Sequence, residues 1–244
     1  MHSKKPTVDI VIPVYYKEAE TLATRIEQQI NYYTKHLKNY HWKIVIANNG
    51  PKKDVIPVVK KLMKKNPSLA YTDIDTPGRG IALRHTWLNS SADFLMYMDA
   101  DLATSLNSVQ SMLTLLEHEA DVVIGSRYVP HAKVKRTAGR LFISKVYNYL
   151  LRIILCLGIA DSQCGFKGLR NDAAKKVVPL IKDQWWFFDT ELLYVAKKMG
   201  YRIREIPVEW YEQKESSVKL FAVSFNYLKN ILRLRFFPPR LPSS

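Results

Sequence analysis

Acidic side chains are missing from two long stretches of this 244-residue chain. Residues 127–160 carry seven Lys or Arg and no Asp or Glu, and residues 216–244 carry five more with none. Those stretches supply 12 of the 15 excess positive charges, which points to a polyanionic partner: nucleic acid, a phosphorylated substrate or an acidic membrane surface. Cysteine is almost absent. With only Cys156 and Cys164, a disulfide framework and a cysteine-rich zinc site are excluded, and reduced thiols in a cytosolic setting fit best. The six histidines show no metal-ligand spacing. Long apolar runs are lacking too: the start of the chain has no signal-type apolar core, and the most apolar segment, 146–160, is short and broken by Arg152. The chain is therefore not expected to cross a membrane by itself. No internal repeat or low-complexity segment is present.

What is there is a regular alternation. Runs at 8–14, 42–47, 70–74, 94–98 and 121–125 read as strands, and helical patterns lie near 18–37, 54–65, 80–90 and 105–118. This predicts an α/β fold with a mostly parallel central sheet flanked by helices. Past residue 137 the alternation gives way to a long amphipathic helix to about 157, helices near 172–178 and 188–198, and a strand at 202–208. One domain over 1–219 is expected, followed by a basic and apolar segment, 220–244. That segment suits either a lipid headgroup region or packing as a terminal helix.

The most informative stretch is Phe94-Leu95-Met96-Tyr97-Met98-Asp99-Ala100-Asp101, an apolar run ending in two carboxylates one residue apart. Acids at the carboxyl end of a buried strand emerge where open α/β sheets hold ligands. Mg2+ or Mn2+ is commonly shared between one or two carboxylates and substrate phosphates, so Asp99 and Asp101 are candidate metal ligands. The alternative is that both cap a helix beginning near Ser105. Gly78-Arg79-Gly80 fits a loop whose glycines let the backbone approach a diphosphate while Arg79 and Arg84 reach its oxygens; the alternative is a helix start with a solvated Arg.

Six segments in order carry a family resemblance: Val11-Ile12-Pro13-Val14-Tyr15, Gly78-Arg79-Gly80-Ile81-Ala82-Leu83-Arg84, Met98-Asp99-Ala100-Asp101-Leu102-Ala103-Thr104, Ile124-Gly125-Ser126-Arg127, Asp161-Ser162-Gln163-Cys164-Gly165-Phe166-Lys167 and Phe188-Asp189-Thr190-Glu191-Leu192-Leu193. Over residues 7–219 the chain resembles inverting glycosyltransferases of family 2 with the Rossmann-like GT-A fold, and within them the dolichyl-phosphate or polyprenyl-phosphate hexose synthases. The resemblance implies that Pro13 and Tyr15 lie against a nucleotide base and that Glu18 accepts from ribose or base. The family's Tyr-Asn-Glu reads Tyr15-Tyr16-Lys17-Glu18 here, one residue longer. Asn48-Asn49-Gly50 stands where the family has Asp-Asp-Gly or Asp-Asn-Gly, and the Asn49 amide can still donate to and accept from a base edge. Asp99 is implied near ribose and metal, and Asp101 on the ion bridging the diphosphate. Ala103 cannot ligate, and Leu102-Ala103-Thr104 resembles the glucosyl branch. Ser217 and Lys219 resemble a Ser-Lys element that closes over the donor phosphates.

On the acceptor side, the resemblance implies that Arg127, Arg140 and Ser144 grip a lipid phosphate. A phosphate monoester, with a second pKa near ~6, is already a nucleophile at neutral pH and needs positioning cations rather than a general base. Lys133, Lys135 and Arg136 read as a solvated loop or as headgroup contacts. Asp161 and Gln163 are expected to line the sugar or acceptor pocket, and Cys164 and Phe166 to pack. Asp189 and Glu191 suit sugar hydroxyls, an arginine partner or a helix start. Trp185 and Trp186 are expected in the core, as are most of Phe142, Val146, Tyr149, Leu150 and Ile153, whose helical spacing would otherwise receive isoprene units.

The implied activity is metal-dependent, inverting transfer of a hexose from a nucleotide sugar, UDP-glucose first, to a polyprenyl or dolichyl phosphate. The enzyme is expected to be peripheral on the cytoplasmic face of a membrane. GDP-mannose and UDP-N-acetylglucosamine are alternative donors. A nucleic-acid-binding protein would share the charge but does not need six ordered motifs. A polysaccharide synthase would carry Gln-x-x-Arg-Trp, where this chain reads Trp185-Trp186-Phe187-Phe188-Asp189.

Overall fold

The computed structural model describes residues 4–15, 19–50, 55–212 and 220–241. Its main sheet contains β1 (Thr7–Val14), β2 (His41–Asn48), β3 (Leu69–Asp73), β4 (Phe94–Met98), β5 (Val122–Ser126), β7 (Phe166–Arg170) and β8 (Ile203–Pro207). Their order across the sheet is β3-β2-β1-β4-β7-β5-β8. All neighbours run parallel except β7, which is antiparallel to both β4 and β5. A short parallel pair, β6 (Lys133–Lys135) with β9 (Glu209–Tyr211), stands apart. The helices are α1 (Ala19–His36), α2 (Val55–Met63), α3 (Arg79–Leu88), α4 (Ser108–His118), α5 (Ala138–Ile154), α6 (Asn171–Val177), α7 (Phe188–Lys198) and α8 (Leu220–Phe236).

Alternate residues of the strands feed two cores. Ile10, Ile12, Met96 and Met98 pack with Leu22, Ile26, Val59 and Met112 of α1, α2 and α4. Val11, Leu95 and Tyr97 pack with Leu83, Trp87 and Leu193 of α3 and α7. Period-two geometry sends successive side chains to opposite faces, and covering both faces explains why β4 is apolar at every position. Each large apolar side chain so buried contributes about 1.5–3 kcal/mol.

The strand order positions the site. The chain runs outward from β1 to β3 and then returns to place β4 on the other side of β1. This reversal opens a crevice at the carboxyl ends of β1 and β4, the place where such sheets hold ligands. Tyr15 follows one strand and Asp99 the other.

Strand β7 was not foreseen. Phe166-Lys167-Gly168-Leu169-Arg170 alternates poorly, yet it sits mid-sheet because Lys167, fully buried, is paired with Asp189 at 2.9 Å and donates to the Cys164 carbonyl at 2.6 Å. Gly168 packs closely on α4, and a Cβ there would lie 2.8 Å from Met112 Sδ and 2.9 Å from Leu116 Cδ1, so those side chains would have to shift. Cys164 and Phe166 pack in the core as expected.

Candidate active site

Asp99 leaves β4 with its backbone N–H donating to the Gly165 carbonyl at 3.0 Å. A Cβ on Gly165 would fall 1.8 Å from Asp99 Oδ2, so only glycine leaves the carboxylate its place. Asp101 Oδ1 accepts from the Ala103 N–H at 3.0 Å, folding a tight turn in which Leu102 takes φ 53. Leucine rarely occupies that left-handed region, at a cost of about 1–2 kcal/mol. Neither acid caps α4, which begins at Ser108 with Asn107 at its cap, later than the sequence suggests. Burial lifts the Asp99 carboxyl to about 6; Arg79 opposes this, while the charges of Asp101 and Asp189 add to it.

The donor set fits a hard divalent ion. Two half-buried carboxylates one residue apart, repelling one another, can supply one or two oxygen ligands and leave the rest to phosphates and water. Among the described residues no group of three or more His, Cys, Asp or Glu offers a fuller cage.

Arg79, the first residue of α3, faces the same carboxylates. Its guanidinium contacts Asp99 at 3.2 Å and Asp189, and lies 4.4 Å from the ring centre of Trp186. Asp189 is fully buried between Arg79, Lys167 and the Tyr97 hydroxyl. Burial would raise its pKa, but Arg79 and Lys167 hold it below the usual carboxylate range. Arg84 donates to the Ile181 carbonyl instead of facing the crevice.

Just beyond β2, Asn49 is buried with both amide atoms unpartnered among the described residues. An orphaned buried amide is costly unless a ligand completes it. Asn48 donates its Nδ2 to Asp73 at 2.9 Å and to Tyr71 at 3.1 Å, while its buried Oδ1 has no partner among the described residues. Gly50 lets the two loops touch, because a Cβ would lie 1.9 Å from the Tyr15 carbonyl oxygen. Pro13 lies in β1 and Tyr15 just beyond it. Glu18, Ser217 and Lys219 lie outside the described residues.

Trp185 and Trp186 correct an expectation. They are 41% and 38% exposed rather than in the core, with Trp185 edge-on to Tyr15 at 6.2 Å. Their loop is pinned by the Asp183 N–H donating to Glu191 Oε2 at 2.9 Å and by the Gln184 carbonyl accepting from the Ile81 N–H at 3.3 Å. Glu191, fully buried, also takes Arg233 of α8 in a fork at 3.0 and 2.8 Å. Apolar character alone gave no sign that these tryptophans face the crevice.

The arginines form a second cluster. Arg127, after β5, is locked on Asp161 by Nε at 2.7 Å, Nη2 at 2.8 Å and its backbone N–H at 2.9 Å. Arg140 pairs with Glu212 at 2.8 Å. Arg136 turns inward with a side chain only 16% exposed, whereas Lys133 remains in solvent at 73%; the solvated reading of the loop holds for Lys133 and fails for Arg136. Burial and the nearby Arg127 pull Arg136 below its ordinary pKa. Gln163 is tethered on both sides, donating to Thr190 at 2.7 Å and accepting from Tyr227 of α8 at 3.0 Å.

Two short segments join the acidic pair to the arginines. Residues 161–165 hold Arg127 at one end and cradle Asp99 at the other. Strand β9 bonds the Asp101 turn, with the Tyr211 N–H to Ala103 O at 2.9 Å, and pairs with β6 on its other side.

Residues 9–178 match the family model Glycosyl transferase family 2. The chain belongs to that family. Among curated relatives of this family 2 chain, Glycosyltransferase AglD of Haloferax volcanii is 29% identical, covering 93% of this chain and 36% of its own length. Dolichyl-phosphate beta-glucosyltransferase ALG5C of Trichomonas vaginalis is 30% identical over 86% of this chain and 65% of its own length. The chain thus spans less than two thirds of either relative. Glucosyl-3-phosphoglycerate synthase from Mycobacterium tuberculosis, in complex with Mn2+, UDP-glucose and phosphoglyceric acid, shares the fold with a TM-score of 0.68 and 15% identity, covering 98% of this chain and 82% of that one. The fold shared with that neighbour therefore extends over nearly the whole chain.

Proposed function

We propose that the protein transfers a hexose, with inversion, from a nucleotide sugar to the phosphate of a polyprenyl or dolichyl phosphate, with UDP-glucose as the favoured donor. The carrying observation is the juxtaposition of the Asp99 and Asp101 carboxylates with the arginine cluster across residues 161–165 and β9. The names of the relatives support the acceptor, and the UDP-glucose and Mn2+ of the structural neighbour support donor and ion.

Asp99 and Asp101 would hold Mg2+ or Mn2+, which when bound supplies Lewis acidity to the departing nucleoside diphosphate. Arg79 adds a fixed positive charge beside that diphosphate, steadied by Asp189. Asn49, Pro13 and Tyr15 would receive the base, with Glu18 and Lys219 completing the donor pocket.

A hydroxyl acceptor would require a general base. Both carboxylates that touch the arginine cluster are poorly suited: burial pushes Asp161 up, but Arg127 holds it below its usual range, and the Thr137 N–H and Arg140 pull Glu212 down against slight burial. A phosphate dianion attacks without help, and Arg127, Arg140 and Ser144 present it to the anomeric carbon, with Asp161 and Gln163 shaping the pocket.

The lipid is met by an apolar face. Phe142, Val146, Tyr149, Leu150 and Ile153 of α5 are exposed, Phe142 at 69%, which overturns the expectation that most of them pack in the core, and Ile143 is exposed beside them. Leu228, Leu232, Phe236 and Phe237 at α8 are exposed as well. With Lys145, Arg152, Arg235 and Arg240 among them and no acid, these helices suit the headgroup level of an anionic bilayer. Residues 220–241 would then serve as a membrane-surface contact of a peripheral enzyme, on the cytoplasmic face where Cys156 and Cys164 stay unpaired. Among the described residues no helix is long and apolar enough to cross a membrane.

Incubation with labelled UDP-glucose, UDP-N-acetylglucosamine or GDP-mannose, Mn2+ and a polyprenyl phosphate, followed by organic extraction, tests this. Label enters the lipid phase with UDP-glucose; no label from any donor refutes the proposal.

A further inference from the structure

Three arginines of the cluster face two carboxylates, and Arg136 is the one that no carboxylate meets within hydrogen-bond distance. Arg127 spends Nε and Nη2 on Asp161, and Arg140 spends Nη1 on Glu212. Arg136 gives Nη1 to Ser144 Oγ at 2.9 Å and to the Tyr128 hydroxyl at 3.5 Å. Among the described residues its buried Nε has no hydrogen-bond partner, lying 3.8 Å from Glu212 Oε1, beyond bonding range. A guanidinium carries five N–H donors, so the Nε–H and both Nη2 hydrogens are uncommitted among the described residues.

Local structure fixes this placement. The pairing of β6 with β9 sets Val134 opposite Trp210 and Lys135 opposite Tyr211, which brings Arg136 beside Glu212. Arg127 and Arg136 both lie against the Trp210 ring, with Cζ 5.2 and 5.4 Å from its centre. Two cations on one aromatic, partly removed from water, repel each other unless an anion joins them.

The hydroxyls point the same way. Ser144 donates its single proton to the Arg140 carbonyl at 2.8 Å, so it accepts from Arg136 and from the Tyr128 hydroxyl 2.6 Å away. The Tyr128 proton rests on Ser144 and would be given instead to an incoming phosphate oxygen, a stronger acceptor.

We propose that Arg136 and Tyr128 directly bind the acceptor's phosphate monoester alongside Arg127, which Asp161 holds in place. This rests on the transferase reading above and adds two acceptor-binding residues to it. The planar fork of Arg136 matches two phosphate oxygens, which a lysine cannot reproduce.

The test is calorimetric titration of the full chain with geranyl phosphate, a monoester, and with glycerophosphocholine, a headgroup diester, alongside UDP with Mn2+. The wild type is expected to bind geranyl phosphate and not the diester. Arg136→Gln should weaken geranyl phosphate binding by roughly 10-fold or more, Arg136→Lys and Tyr128→Phe by less, and UDP binding should not change. In turnover the same variants should raise the acceptor KM and leave the donor KM alone. If Arg136→Gln does not fold, Arg136→Lys decides. Unchanged affinity in the variants, no monoester binding by the wild type, or equal binding of the diester would overturn the proposal. A wild type that binds geranyl phosphate through Arg136 yet transfers no hexose would break the transferase reading and leave this site standing; lipid glucosylation indifferent to Arg136→Gln would do the reverse.

Discussion

Arg127 and Asp161 form a buried, forked ion pair, 2.7 and 2.8 Å at its two prongs, at the junction of β5 with the segment that cradles Asp99. Removing one partner strands an unpaired charge in a buried site. Asp161→Asn should therefore cost about 3–5 kcal/mol of stability, measured by urea unfolding.

The same pair predicts an acid limb. Burial works against the charged form of Asp161, but Arg127 and its hydrogen bonds outweigh it and hold the folded-state pKa below the ordinary value of 3.8. A depressed carboxyl contributes stability that is complete above its unfolded pKa of about 3.9 and lost as pH falls through the folded value. Stability of the wild type should thus fall more steeply below about pH 4 than that of Asp161→Asn, read from melting temperature against pH.

Gly165→Ala is expected to fold and to fail catalytically. The added Cβ meets Asp99 Oδ2 at 1.8 Å and must displace the carboxylate. A stability loss of about 1–3 kcal/mol should accompany a much larger loss of turnover and of Mn2+-dependent UDP binding. Retained turnover would show that the place of Asp99 is not needed.

Asp101→Asn keeps a side-chain oxygen for the Ala103 N–H but loses the charge. Turnover should drop by about 10²–10³-fold, with a melting temperature near that of the wild type. Rescue by raised Mn2+ would be partial.

Serine at Phe142, Tyr149 and Ile153 together should reduce co-sedimentation with phosphatidylserine vesicles by more than about tenfold, since each buried CH2 is worth about 0.8 kcal/mol. Unchanged sedimentation would remove α5 from the membrane contact.

Much of this architecture can be read from local pattern. Strand β4 and helix α7 fall at the residues expected, because an all-apolar pentad and a 3.6-residue period each admit one solution. Asp99 and Asp101 emerge at the crevice because the strand before them is fixed by burial on both faces. Strand β7 escaped because Lys167 and Gly168 only make sense beside Asp189 and Met112, which are distant in sequence. Arg136 escaped for a related reason: nothing in a basic loop tells which cation turns inward until β6 meets β9. The apolar face of α5 and the two tryptophans looked like core because hydrophobic spacing reports a face, not what covers it.

The central claim is that lipid phosphate is the nucleophile. The most direct measurement is the phosphorus-31 NMR spectrum of polyprenyl phosphate incubated with enzyme, UDP-glucose and Mn2+, with the anomeric proton of the product read alongside. The account predicts conversion of the monoester resonance to a phosphodiester coupled to a β-linked glucose. A monoester that persists while UDP is released, or an α-linked product, would contradict it.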